Sequence, residues 1–234
     1  MQIARCYQVL LAGLLFLCMA VPSVFANPKG ESEIALLTNL FPQNCHFSGQ
    51  FLQKKNVEGL PIPLHSTGDF FFSCDLGLIW HTQEPFREAI LYVNSSNNFR
   101  VHEDGSLTPL TGVTRYIMSN VFVKLLKGDT QYFVDEFAIK LADDNTSVEL
   151  KPESDFMKKG IDSIRFQKND SDELGITLLV DVTDVTGQVT HVSIDKIRAY
   201  QIEGKRGAFE QCEKLYSDNS AWCQVLRSPA HIRR

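Results

Sequence analysis

Signatures of catalysis are missing from this chain. It has no Gly-rich phosphate loop, no dinucleotide glycine pattern, no G-x-S-x-G elbow and no H-E-x-x-H pair. These absences remove nucleotide hydrolysis, nicotinamide chemistry, the α/β-hydrolase triad and zinc proteolysis in turn. There is no C-x-x-C, and no histidine stands at ligand spacing from a cysteine, so no metal is expected. His191 and Asp195 are four apart, but on a strand that spacing separates them by about 13 Å, too far for a dyad. His81 follows Trp80 and alternates to the opposite, solvent-facing side of its strand. The expectation is a protein that is not an enzyme and needs no cofactor.

Positive charge is also in deficit, with 23 Lys and Arg against 28 Asp and Glu and a net charge of -5. A nucleic-acid surface needs concentrated basic residues, so nucleic acid is not an expected partner. Long apolar runs are absent beyond the start of the chain. The single stretch from Val9 to Val21 is shorter than the roughly 20 residues a membrane span requires. With Arg5 ahead of it and Val24-Phe25-Ala26 behind it, residues 1–26 read as a cleavable secretory signal. Cys18 follows Phe16 and Leu17, where a bacterial lipobox would place small residues, so it is not read as a lipidated cysteine. Removing 26 residues from 234 leaves 208, enough for one substantial core.

What the chain does have is an aromatic hairpin. CHFSGQFLQ and HSTGDFFFSC flank residues 55–63, in which Gly59 and Pro61 mark a turn. Symmetric pairing about that turn sets Cys45 against Cys74, Phe47 against Phe72, Gly49 against Phe70 and Phe51 against Gly68, all on one face. Glycines opposite rings suggest concave space for a greasy ligand, although the same alternation also suits a sheet packed on helices. Cys6 and Cys18 leave with the signal. Of the three pairings open to the remaining four cysteines, the hairpin register favours Cys45 with Cys74, and the short spacing in the tail favours Cys212 with Cys223.

Further strands are expected at about 87–94, 97–103, 130–142, 146–151, 161–168, 173–185 and 188–202. The turn signals between them, such as Asn94-Ser-Ser-Asn-Asn98 and Thr186-Gly187, suggest an antiparallel meander. Residues 31–41 carry Ile34, Leu37, Leu40 and Phe41 at helical spacing. Between about 115 and 127, Ile117-Val121-Leu125 and Met118-Phe122-Leu126 form adjacent stripes ahead of Gly128, a C-terminal stop. This helix is either a movable lid or fixed core. The tail from Gly204 breaks the strand pattern and reads as a disulfide-clipped helical segment.

The strings Phe47-Ser-Gly-Gln-Phe51-Leu-Gln53, Gly68-Asp-Phe-Phe-Phe72 and Leu78-Ile-Trp80-His-Thr-Gln-Glu-Pro85 resemble the amino-terminal half of the outer-membrane lipoprotein carrier LolA family. The likeness continues more weakly to about Tyr200. It implies a mainly β fold with some α: a half-open antiparallel barrel of about 11 strands closed by lid helices. In that family an arginine six residues before the third-strand Trp latches the lid; here that position is Cys74. A sulfur offers none of the guanidinium's five donors, so the latch is missing or has moved.

The resemblance implies a monomeric periplasmic carrier for the acyl chains of lipoproteins, receiving cargo from an inner-membrane donor complex and passing it to an outer-membrane acceptor with transient membrane contact. A non-protein lipid, glycolipid or polyene-type cargo, or a lipoprotein-sensing module, are the alternatives. The expected division is a signal at 1–26, a barrel domain at 27–203 and the tail at 204–234. Expected cavity residues are Phe47, Phe51, Phe70, Phe72 and Trp80 on the sheet, with Ile117, Val121, Phe122 and Leu125 on the lid.

Overall fold

The computed structural model describes residues 31–39, 44–94, 97–112, 121–142, 146–171 and 175–229. The signal reading at 1–26 and Ile117 lie outside them.

Alternating residues and tight turns produce an antiparallel meander. Strands β1 (His46–Lys55), β2 (Leu64–Ser73), β3 (Gly77–Glu84), β4 (Glu88–Tyr92), β5 (Asn98–Val101) and β6 (Leu107–Pro109) form one arm. The other consists of β7 (Phe137–Leu141), β8 (Ser147–Pro152), β9 (Ile161–Ser171), β10 (Gly175–Asp184) and β11 (Val189–Ala199). Pairing of β1 with β11 joins the arms into one sheet, ordered β6-β5-β4-β3-β2-β1-β11-β10-β9-β8-β7. All eleven strands are antiparallel to their neighbours, and β6 and β7 are edges, so the sheet is open. It curls far enough for Ile90 of β4 and Val182 of β10 to line one cavity.

The hairpin register is the expected one: Phe47 pairs with Phe72, Gly49 with Phe70 and Phe51 with Gly68. Two disulfides are present among the described residues. Cys45–Cys74 (Cα–Cα 5.1 Å) clasps the hairpin ends, and Cys212–Cys223 (Cα–Cα 5.9 Å) joins the tail helices.

Helices pack on both faces. On the concave side lie α1 (Glu31–Thr38), α2 (Val123–Leu126) and α3 (Thr130–Glu136), the first through the buried Leu37. Gly128, at φ +67°, ends α2 in the left-handed region that glycine adopts without a Cβ penalty. The strand expected at 130–142 begins only at Phe137. Tyr132, Phe133 and Val134 have strand character, but Asp129 accepts the Tyr132 backbone N–H at 3.2 Å and caps a helical turn. Phe133 and Phe137 then meet at 5.8 Å between ring centroids. The short edge strand β6 was not expected; its Pro109 suits an edge, where a missing donor costs no ladder bond.

The tail helices α4 (Gly204–Leu215) and α5 (Ser220–Arg227) cover the convex face of β2–β5. Phe71, Ile79, Ala89, Leu91, Phe99 and Val101 of the sheet meet Ala208, Phe209, Tyr216, Val225 and Leu226 in a second core. That half of the sheet is buried on both faces, which is why Phe70-Phe71-Phe72 runs without alternation. Arg227 lies over the Phe209 ring, 4.6 Å from its centroid.

Candidate functional site

The concave face is built from rings. Phe51 stacks on Trp80 at 4.0 Å, Phe70 lies 5.7 Å from Trp80, and Phe47 meets Phe70 at 6.0 Å and Phe72 at 5.3 Å. The glycines that suggested concave space instead seat these rings. A Cβ on Gly49 would come within 2.6 Å of Phe70 Cε1, and one on Gly68 within 2.7 Å of Phe51 Cζ. The room left by each missing side chain is taken by the opposite ring, which corrects that part of the expectation.

Val121, Phe122, Leu125 and Leu126 cap the rings, none more than 5 % exposed, and Phe122 sets its edge against Trp80 at 5.5 Å. The structure thus joins the sheet and helix candidates in one cluster. Phe47, Phe51, Phe70 and Phe72 are packed inside it, whereas Trp80 and Phe122 also face open space. That space is a cavity of about 460 Å³ at the mouth of the concave face, within the range of small-molecule sites. Its floor is Trp80, Ile90, Phe122, Val182 and Val192; its rim is Gln53, Lys55, Ser66, Thr82, Glu88, Arg100 and Thr190. Phe86 stands at the opening, 75 % exposed.

Two polar residues on β5 interrupt the apolar surface. Asn98 pairs with Tyr92 and Arg100 with Ile90, so both side chains share the concave face. Asn98 is 4 % exposed, and both its amide nitrogen and oxygen lack hydrogen-bond partners among the described residues. Arg100 lies 3.6 Å from the Glu88 carboxylate as an ion pair, yet its buried Nε makes no hydrogen bond. Sequence reading missed both, because an Asn-x-Arg pattern on a short strand looks like an ordinary solvated face.

The convex face carries a polar cluster under the tail. Tyr216 donates its hydroxyl to Asp69 at 2.6 Å, Gln83 donates to the same carboxylate at 2.7 Å, and His81 Nδ1 lies 3.2 Å from it. A carboxylate only accepts, so this nitrogen carries the proton. His81 is on the convex face as expected, but it is covered by Trp222 at 4.9 Å rather than by solvent. Burial, and then the Asp69 charge, push the Tyr216 phenol well above its ordinary range. For such a raised acid, stability is full below the unfolded value near 10 and is lost as pH rises through it. Tyr216→Phe should cost about 1.5–3 kcal/mol at neutral pH, as expected for a hydrogen bond to a charged group. It should also flatten the decline in melting temperature between pH 9.5 and 11; an unchanged alkaline slope would show that Tyr216 does not anchor the tail.

Neither a protein-family model nor a curated protein sequence matches the chain. Among solved structures it is similar to a LolA superfamily protein from Nitrosomonas europaea, at 11% identity and a TM-score of 0.43, over 74% of this chain and 94% of that one. A DUF1329 family protein from Desulfovibrio piger is similar at 8% identity and a TM-score of 0.43, over 72% of this chain and 91% of that one. The site described above rests on this chain's own geometry.

Proposed function

We propose that this protein is a non-enzymatic carrier that shelters the acyl chains of a lipoprotein, or of another amphiphile, against its concave face. The observation that carries the reading is the cavity at the mouth of that face: an apolar floor continuous with the ring cluster, closed on one side by a helix of four residues. An acyl chain gains about 0.8 kcal/mol per buried CH2, so a di- or triacylated anchor cannot cross water unescorted on a useful timescale. A carrier has to hide the chains and release them. Apolar burial is nondirectional, which suits a site that holds flexible chains and passes them to a better-packed acceptor.

The finer proposals follow from this reading. The barrel spans 27–203 after a signal at 1–26, and the tail at 204–234 backs the sheet. The protein works as a monomer in the periplasm, a compartment where two disulfides persist. An inner-membrane donor and an outer-membrane acceptor complete the route, with transient membrane contact. A non-protein lipid is the second reading. It is favoured by the Cys45–Cys74 bond standing where the carrier family, on the sequence resemblance, would place its latch arginine.

Native mass spectrometry of protein purified from its own source tests this directly. A lipid or acylated-protein adduct, identified after denaturation, is the expected result. Protein that is empty, and stays empty after incubation with a lipopeptide, would mean that the ring face is closed core.

A further inference from the structure

The concave face holds a feature that chain burial alone does not explain. Asn98 and Arg100 are two residues apart on one face of β5, about 7 Å along the strand. Asn98 offers a buried donor and a buried acceptor with no partner among the described residues but does not line the cavity, whereas Arg100 does line it and has the Glu88 carboxylate 3.6 Å from its Nε. An unpaired buried polar group forfeits its hydration and gains nothing back. A purely apolar cargo would also give the Arg100 guanidinium, whose side chain is 39 % exposed, no partner beyond Glu88. Arg100 lines the cavity with Lys55 and Glu88, so the mouth holds two cations and one anion, and Glu88 meets Arg100 only as an ion pair.

We propose that the mouth of the cavity reads the head group of the cargo: Arg100, on a rim it shares with Lys55, binds an anionic phosphate while the chain lies over Trp80 and Phe122. This rests on the carrier reading and narrows its cargo to phosphate-bearing amphiphiles. A guanidinium suits the task, because its planar fork matches a phosphate with two parallel hydrogen bonds. Glu88 shares the guanidinium when no ligand is present and keeps Arg100 turned to the mouth.

Calorimetric titration with palmitoyl lysophosphatidate, monopalmitoyl glycerol and inorganic phosphate tests the proposal. Wild-type protein should bind the lysophosphatidate at least tenfold more tightly than the neutral lipid with the same chain. Arg100→Gln should reduce that preference to less than twofold, and Arg100→Lys, which keeps the charge, should retain a clear preference. Equal affinity for the two lipids in the wild type would overturn the head-group assignment while leaving the carrier reading intact. A preference lost equally in Arg100→Lys and Arg100→Gln would overturn the ionic anchor. Inorganic phosphate binding as tightly as the lysolipid would make the site one for a free anion. If neither lipid binds, the carrier reading falls, and this proposal with it.

Discussion

Phe122→Ala should destabilise the protein by no more than about 2 kcal/mol, whereas Trp80→Ala should cost the 3–5 kcal/mol usual for a fully packed aromatic. Both residues are nearly buried, and they touch at 5.5 Å between ring centroids, so contact alone predicts similar losses. The difference lies in what each is attached to. Trp80 belongs to β3, hydrogen-bonded to β2 and β4 and stacked on Phe51 and Phe70. Phe122 belongs to a short segment ended by Gly128. If that segment opens without unfolding the sheet, the open state sets a ceiling on what any lid mutation can cost, because beyond it the protein simply opens. The mutant should also bind an environment-sensitive apolar dye that the wild type excludes, since opening exposes the rings. Denaturant titrations of both variants decide the matter. Equal losses of 3–5 kcal/mol would identify residues 121–126 as fixed core, and carriage would then need another entrance.

The reach of the sequence follows the range of the interactions involved. The aromatic hairpin was legible because Phe47 and Phe72 lie symmetrically about one turn, and the Cys45–Cys74 pair came with that register. Most of the antiparallel strands were legible from alternation and turns between near neighbours, whereas the count of about eleven came with the family resemblance and the short edge strand at Leu107–Pro109 was not read. The helix at Thr130–Glu136 was not, because a single capping carboxylate, Asp129, outweighed a run of strand-favouring side chains. The glycines were misread because pairing tells which residues are opposite and says nothing of which way a ring lies down. The role of the tail was hidden for a different reason. Tyr216 meets Asp69 across 147 positions of sequence, and nothing local records such a contact. The one local trace was Phe70-Phe71-Phe72, too apolar for a face left in water. Arg100 was invisible as a site residue because a polar residue on a strand acquires meaning only when the cavity it lines is known, and the burial of Asn98 beside it is not written in its neighbours.

The two disulfides should differ both in accessibility and in the stability they confer. Cys45 is exposed and Cys74 half-buried, whereas Cys212 and Cys223 are both fully buried between the tail helices. A mild thiol reductant without denaturant should therefore open Cys45–Cys74 and leave Cys212–Cys223 intact. Loop-closure entropy ranks the losses the same way. The hairpin bond spans 29 residues and the tail bond 11, so the chain-entropy model gives about 3.6 kcal/mol for the first and about 2.8 kcal/mol for the second. The double variant Cys45→Ser with Cys74→Ser should lose the larger amount in a urea titration, and Cys212→Ser with Cys223→Ser the smaller. Reversal of that order would mean that docking of the tail on the convex face, more than the unfolded chain's freedom, sets the value of the second bond. The hairpin bond also tests the carrier reading. It clasps β1 to β2 at the end of the ring cluster, and the packing of Phe47 and Phe72 does not depend on it, because ten residue pairs of ladder hold the register. Protein reduced at this bond alone should therefore still take up lipid, at lower stability. Lost uptake in a protein that remains folded would make the clasp part of the mechanism that closes the site.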